Sequence, residues 1–554
     1  MRGNSTVTAI AVFAFSMLCT VACNPGQPEP GADHELALGS ITAAEIRGHM
    51  EVLAADEMQG REAGTPGFKK AADYVAAEFR GIGLLPLGDE QSYFQSIDFF
   101  ETRLEPDSAG FVLHAPGDDI ELLFRDDFIR SGGYGEPTES VTAPLVFVGH
   151  GIVAPEYAHD DFADIDVAGK IVVVLSGAPP QFATDQRAFY SSGRGKDVNA
   201  ALRGAVGVIT VQTPVDQARR PWERFLPGIG TPGMRWLDEN GHANEGFPEL
   251  QGSATLSQPG AEKVFGAVGR DLQAIFEKHA AGETGSFEFG VSATLSRKSV
   301  QRSVRSANVV GLLKGGDPAL SKEYLVYTAH LDHLGIRAGE DGDDLHNGAY
   351  DNAAGVAAII EIAAAMALLE TPPRRSIIFA AVTAEEKGLQ GSNYFARNPP
   401  VPAKAMVANI NIDMPYLGFP VADIEAFGAE HSTLLAAVTA ATATTGMGLT
   451  PDPMPEEVRF VRSDQFSFVR EGIPAIAFKA GSKSSDPNVD GAAMLRDFLQ
   501  NHYHRPSDDL DLPFSAEGAE RFVRTALLTG LEVAEQDERP RWNPGDFFGD
   551  RFAQ

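Results

Sequence analysis

The sequence predicts an α/β fold in which a mostly parallel, twisted sheet is flanked by helices and interrupted by a β-rich insert. Three observations carry this. The apolar runs NVVGLL, EYLVYTA, SIIFAAVT, VANINI, IEAFGA and PAIAFKA recur between 307 and 535 with helical patterns between most of them, and strands that alternate with helices close as parallel crossovers. From about Leu123 to Leu295 the runs APLVFVGHGIV, GKIVVVLSG and GAVGVITV are instead separated by long Gly- and Pro-rich loops, the character of a separate module set into the first. At 554 residues the chain exceeds one ordinary domain and has ample length for a buried core.

In chain order, the first stretch is not part of the fold. Arg2 precedes an apolar run from Val7 to Ala22, so residues 1–22 read as an export signal, too short and poorly flanked for a membrane span. Thr20-Val21-Ala22-Cys23 resembles a bacterial lipid-attachment site, with Thr20 where Leu is usual and ordinary cleavage nearby as the alternative. The expectation is an exported protein, periplasmic or anchored to the outer membrane through Cys23, or else secreted. Cys19 and Cys23 are the only cysteines, so the mature chain has no internal disulfide. Residues 23–40 include NPGQPEPGADHE and read as a flexible tether.

The main domain is expected over 41–122 and 296–535. Thr42 with Glu45 is a capping-box signature, and FKKAADYVAAEFRGIGL carries an apolar stripe. Between them DEMQGREAGTPG reads as a solvated loop, with a contribution of Arg61 and Glu62 to a site as the alternative. The insert spans 123–295 and offers no concentrated cluster of histidines and acids. The tail at 536–554, QDERPRWNPGDFFGDRFAQ, lacks periodicity and is expected to be extended or disordered. A formal net charge of −31 excludes non-specific binding to nucleic acid or to anionic membrane, both of which need a basic surface. No signal for oligomeric state is present.

Chemistry concentrates where the strands end. EYLVYTA delivers His330, Asp332 and His333; SIIFAAVT runs into Glu385-Glu386; VANINI ends in Asp413. Asp351-Asn352 precedes an Ala-rich helical run, and the late polar loop NHYHRPSDDLD holds His502 and His504. Taken singly, His330 and Asp351 are equally well a polar strand end and a helix cap. Recurrence at three successive strand ends, where α/β sheets place ligands, sets them apart. Nitrogen and oxygen donors without thiolate suit zinc, and two metals sharing a carboxylate need about this inventory. One acid is left over, the natural general base.

The motifs AHLDH, GAYDNAAGVA, TAEEKGLQGS, NIDM, RSDQFSF and YHRPSDD, with GREAGTPG near the start, resemble those of the co-catalytic di-zinc exopeptidases. That family includes bacterial leucine-type aminopeptidases, with glutamate carboxypeptidase and the transferrin receptor as relatives. VFVGHGIVAPEY…DDF…DVAGKIVVVLSG resembles the protease-associated (PA) domain, a non-catalytic β-rich insert. The resemblance implies a zinc-exopeptidase, phosphorylase/hydrolase-like fold and two zinc ions. His330 and Asp413 would bind one, Glu386 and His504 the other, with Asp351 bridging; Glu385 would be general base and Asp332 would orient His330. It also implies a cis peptide at Asp351-Asn352. His333, His346 and His502 fit no role in it and are expected on the surface or outside the ligand shell. Pro415-Tyr416 and Gln465 depart from the family pattern at places expected near the substrate cleft. The resemblance leaves polarity open, and aminopeptidase action on peptide substrates is favoured because acids dominate the motifs while Arg462 is the only motif-borne cation obviously placed to clamp a terminal carboxylate, with Arg505 a weaker second. The alternatives are a carboxypeptidase or dipeptidase of the family, and a receptor-like binding protein without catalysis.

Overall fold

The computed structural model describes residue 1 and residues 32–283, 285–337, 342–452 and 459–553. The expected signal beyond residue 1, Cys23 and the tether up to residue 31 lie outside the described residues. From the N-terminal side the elements that build the site are helices α1 (Ala43–Leu53) and α2 (Pro66–Ile82), followed by strand β1 (Phe94–Leu104). Next come β2 (Gly110–His114), β3 (Thr138–Val148), β4 (Ile171–Leu175), β5 (Gly207–Val211), β6 (Ala254–Leu256) and the 28-residue β7 (Ser286–Leu313). The remainder holds β8 (Tyr324–His330), α3 (Ala354–Ala367), β9 (Ser376–Val382), β10 (Met406–Asn411), β11 (Asp423–Phe427), β12 (Ala475–Ala480) and α4 (Ala516–Glu535).

Local signals explain the first helices. The Thr42 side chain accepts from the Glu45 amide at 3.2 Å, and Thr65 accepts from Phe68 with Pro66 in the first turn, each satisfying a donor that the helix itself cannot. Gly83, at φ 93°, ends α2 in the left-handed conformation that a side chain resists.

The main sheet runs in the order β1, β7, β9, β8, β10, β12, β11, with β9, β8, β10 and β12 parallel and the flanking strands antiparallel to their neighbours. Nearly every residue of β8, β9 and β10 is buried, as it must be for strands covered by helices on both faces. Ala349–Ala367 is long and apolar enough by composition to span a membrane, but it lies almost wholly buried in this core.

Strand β7 is the hinge between the two modules. Its second half pairs with β1 and β9, whereas its first half leaves the main sheet and pairs with β2 and β3. The second sheet continues β3, β4, β5, β6 and has its own core, with Phe111, Phe147, Ile171, Ile209 and Phe265.

The tail differs from its expectation. Phe547–Phe552 is a helix, Phe548 is fully buried, Trp542 donates to the Gly472 carbonyl at 2.8 Å, and His431 holds Asp546 at 2.6 Å. The segment has no periodicity because it is tied down by single aromatic anchors, not by a repeating face.

Candidate metal centre

Because β8, β9 and β10 are parallel neighbours, their C-terminal ends open at one edge of the sheet, and residues just past them are brought together. His330 closes β8, Glu385 and Glu386 follow β9, and Asp413 follows β10. Asp351 comes in ahead of α3, and its peptide bond with Asn352 is cis, as the resemblance implied. His504 arrives from the loop after helix Gly491–Asn501. The chain turns sharply beside these groups: Ala384 (φ 55°), Met414 (φ 50°) and His504 itself (φ 61°) sit in the left-handed region. Such backbone is uncommon for residues other than glycine and clusters at functional sites.

The donors converge in two groups. His330 Nε2 is 3.2 Å from Asp351 Oδ1 and 3.1 Å from Asp413 Oδ1. His504 Nε2 is 3.2 Å from Asp351 Oδ2 and 3.3 Å from Glu386 Oε2. Asp351 therefore presents one oxygen to each group. Its Oδ2 is buried and without a hydrogen bond although His504 stands beside it. That is the relation of two donors turned toward a common ion.

The electrostatics point the same way. Burial pushes the Asp332 and Asp508 carboxyls each up to about 7 and Asp464 up to about 6. Burial works likewise on Glu386, but His504 and His333 outweigh it and hold that carboxyl well below the usual range. His330 and His504 feel an opposing burial effect, yet the surrounding acids hold both well above the ordinary imidazole value. So many buried acids need bound cations or protons to balance them. The nitrogen and oxygen donors, at edge lengths near the ~3.4 Å expected around one small ion with bonds of about 2.0–2.1 Å, fit zinc.

Glu385 stands apart. Its amide donates to Asp332 Oδ1 at 3.0 Å, while its carboxylate makes no hydrogen bond among the described residues. Burial, reinforced by Glu386, Asp464 and Asp413, drives its pKa well above the ordinary carboxylate value.

Several roles differ from the sequence reading. The Asp332 carboxylate does not reach the His330 ring: it accepts from the amides of Glu385 and Glu386 at 3.0 and 3.3 Å. The partner of His330 Nδ1 is the Asp332 main-chain carbonyl, at 3.0 Å. One residue thus aims the histidine with its backbone and fixes the Glu-Glu turn with its side chain. Of the two places expected for it, His333 takes the one off the surface: it is fully buried beside Glu386. His346 is also buried, and His502 pairs with Ser507 outside the ligand cluster. Tyr416 stacks on Phe498 with ring centres 4.8 Å apart, and Gln465 is fully buried, donating to the Phe460 carbonyl and accepting from Asn411. Tyr416 and Gln465 are therefore packed into the core, with Gln465 joined through Asn411 to Ser463 behind Asp413.

Two supporting residues, Asp508 and Ser463, escaped the sequence reading, and a third, Arg61, was placed there in a solvated loop. Asp508 accepts from the amides of Tyr350 and Asp351 at 2.9 and 3.0 Å, clamping the turn that aims Asp351. Ser463 donates to Asp413 Oδ2 at 2.6 Å. Arg61, read as solvated, is 1% exposed and donates to the carbonyls of Leu53, Leu331, Asn347 and Gly348, so it staples the loops on either side of the pocket. The available signals were the place of Arg61 in GREAGTPG and of Asp508 in YHRPSDD, which mark importance without assigning a contact.

The insert supplies none of the clustered donors among the described residues. It does touch the segment that follows Glu386: Trp236 Nε1 donates to Asn393 Oδ1 at 2.9 Å, Arg235 approaches the Lys387 carbonyl at 3.4 Å, and Glu245 pairs with Arg470 at 2.7 Å.

Residues 308–529 match the family described as Peptidase family M28, and residues 141–235 match the PA domain. Aminopeptidase NAALADL1 of Mus musculus is 27% identical over 264 residues, which is 40% of this chain and 34% of that protein. Leupeptin-inactivating enzyme 1 of Streptomyces exfoliatus is 33% identical over 108 residues, 19% of this chain and 22% of that protein. The chain thus matches about a third or less of the length of these curated relatives. In fold it is similar to an aminopeptidase from Aneurinibacillus sp. strain AM-1, at 20% identity and a TM-score of 0.53, covering 93% of this chain and 99% of that one.

Proposed function

We propose that this chain, which carries a peptidase family M28 domain with a PA domain set into it, is a zinc-dependent aminopeptidase with two zinc ions. The observation that supports this most is Asp351, whose two oxygens each face a separate histidine–carboxylate pair. In this reading His330 and Asp413 hold one ion, His504 and Glu386 the other, and Asp351 bridges. When bound, the ions supply Lewis-acid chemistry, acidifying a water and polarising the scissile carbonyl.

The chain's own residues do the rest. Glu385, with its raised pKa and unengaged carboxylate, takes the proton of the attacking water at an oxygen and delivers it to the leaving amine. Asp332 keeps that carboxylate in place through the Glu385 amide. Asp508 and Arg61 hold the Asp351 turn so that proximity is set before substrate arrives. The surplus of acid around the pocket favours a free α-amine on the substrate. The name of the mouse relative agrees with that polarity. Export, with a lipid anchor at Cys23 or ordinary cleavage, belongs to the same proposal and is supported by the apolar run up to Ala22.

One observation favours the carboxypeptidase or dipeptidase reading. Arg462 is exposed beside Ser463, and it acts electrostatically on both Tyr503 and Arg220 of the insert, so two guanidinium groups flank the site. The deciding experiment compares a free dipeptide amide, its N-acetylated form and an N-acyl dipeptide acid. Cleavage of the amide, abolished by acetylation, is expected; hydrolysis of the N-acyl acid alone would reverse the polarity.

A further inference from the structure

We propose that the second metal position has four protein donors, the fourth being His333 through Nδ1, and that its ion is held more tightly than the ion at His330 and Asp413. The proposal rests on the two-zinc reading and adds to it a residue that the family resemblance leaves without a role.

His333 follows the strand end that delivers His330 and is fully buried. Its Nδ1 lies 3.0 Å from Glu386 Oε1 and 3.9 Å from Asp351 Oδ2, and these three groups form a cluster able to hold a metal ion. His504 Nε2 faces the same two carboxylates, at 3.2 and 3.3 Å. The two imidazoles have ring centres 6.0 Å apart and approach Glu386 by different oxygens. Four donors bound to one zinc at about 2.0–2.1 Å stand roughly 3.4 Å from one another in a tetrahedron. The separations between the histidine nitrogens and the two carboxylates bracket that value.

The ring is fixed in this pose. Gly348, at φ 63°, lies so close that a Cβ there would come 2.5 Å from His333 Cδ2 and 2.3 Å from the Asp351 carbonyl. The glycine is therefore required both by its backbone conformation and by the imidazole packed against it.

The first position is different. Among the described residues only His330, Asp351 and Asp413 converge there, and the other oxygen of Asp413 is taken up by Ser463 at 2.6 Å. Three protein donors leave a coordination position open, as catalytic sites do, whereas four close it, as structural sites do. The two ions would accordingly divide the work: an exchangeable one at His330 and Asp413, and a retained one at Glu386, His504 and His333.

The alternative role for His333 is a hydrogen bond from Nδ1 to Glu386 with no bond to metal. Replacement by Asn separates the two, because the side-chain amide nitrogen can stand near the Nδ1 position and keep the hydrogen bond while the imidazole is lost. Zinc is withdrawn from wild type, His333→Asn and His333→Ala with chelators of graded affinity, and bound zinc is counted at each step. The expected result is two separated release steps in wild type, with the later step weakened in both variants by at least about 10- to 100-fold, the loss typical of groups that support a metal site. If His333→Asn keeps the later step within about threefold of wild type, His333 is a hydrogen-bonding group only and the proposal is overturned. Release of both wild-type ions in a single step overturns it as well. A wild type that binds no zinc at all would instead overturn the proposed function, and this inference with it. Apo-protein melting curves establish that each variant is folded, and His333→Asn alone decides the question if His333→Ala is not.

Discussion

At the scale of single residues, the separation of base from ligand is the sharpest claim. Glu385→Gln should lower turnover by about 10²- to 10⁴-fold, the usual contribution of a general acid–base group, with zinc content unchanged. Asp351→Asn should lose zinc, since it removes the carboxylate that presents one oxygen to each donor group. Metal analysis beside turnover reads both; equal zinc loss in the two variants would mean the roles are wrongly assigned. Arg61 makes a second claim at this scale. Arg61→Met strands four carbonyls that now share one buried guanidinium, and each stranded acceptor costs on the order of 1–3 kcal/mol. Denaturant unfolding should show a loss of at least about 3 kcal/mol. Arg61→Lys should restore little of it, because a point charge cannot reach carbonyls that a planar fork spans.

At the scale of elements, the tail behaves as part of the fold. Phe548 is fully buried between Phe460, Phe466 and His431, so Phe548→Ala should cost about 3–5 kcal/mol, read by thermal or denaturant melts. The His431–Asp546 pair makes the docking pH-dependent. Burial pulls the His431 pKa down, but Asp546 and its acidic neighbours outweigh this and leave it raised above 6.5. A raised folded-state value stabilises at pH below the unfolded value and is lost as pH climbs through the folded one. Asp546 is opposite: burial raises it, His431 and two amides prevail, and it ends below 3.8, so its share is present above that value and fades under stronger acid. The protection of residues 540–553 against hydrogen exchange, each amide referred to its unprotected rate at the same pH, should therefore be greatest from about pH 4 to 6.5 and smaller at pH 8.5. No change across that span would mean that the pair contributes nothing to docking.

At the scale of the whole molecule, β7 shows how one module can sit in another without breaking its sheet. Ser299 in β7 pairs with Leu104 in β1, so the insert leaves and returns between adjacent strands. Joining residue 105 to residue 298 through a short Asn-Gly turn should preserve the main sheet. Because the insert contributes none of the clustered donors but packs on the segment after Glu386, the shortened protein should keep its zinc stoichiometry and change its preference for peptide length. The comparison is a peptide-ladder digest beside metal analysis. A folded, shortened chain that has lost zinc would refute the division of labour.

By itself the sequence determined the parallel sheet, the insert and the positions of His330, Asp351, Glu385, Glu386, Asp413 and His504. These rest on local facts: buried β-branched runs announce strands covered on both faces, and strand ends announce where ligands gather. The tertiary structure decided which oxygen faces which histidine, that Asp332 holds the Glu-Glu turn, that Asp508 and Arg61 clamp the pocket, and that Tyr416 and Gln465 fill core. It also chose, of the two places open to His333, the side of Glu386, and docked the tail. Most of these are contacts between residues about 50 to 300 positions apart, such as His333 with Glu386, Asp351 with Asp508 and Arg61 with Gly348. A histidine in a polar loop and an arginine in a turn have the same local pattern whether they meet water or one another. Only the folded chain, by closing those loops against a common sheet edge, tells the two cases apart.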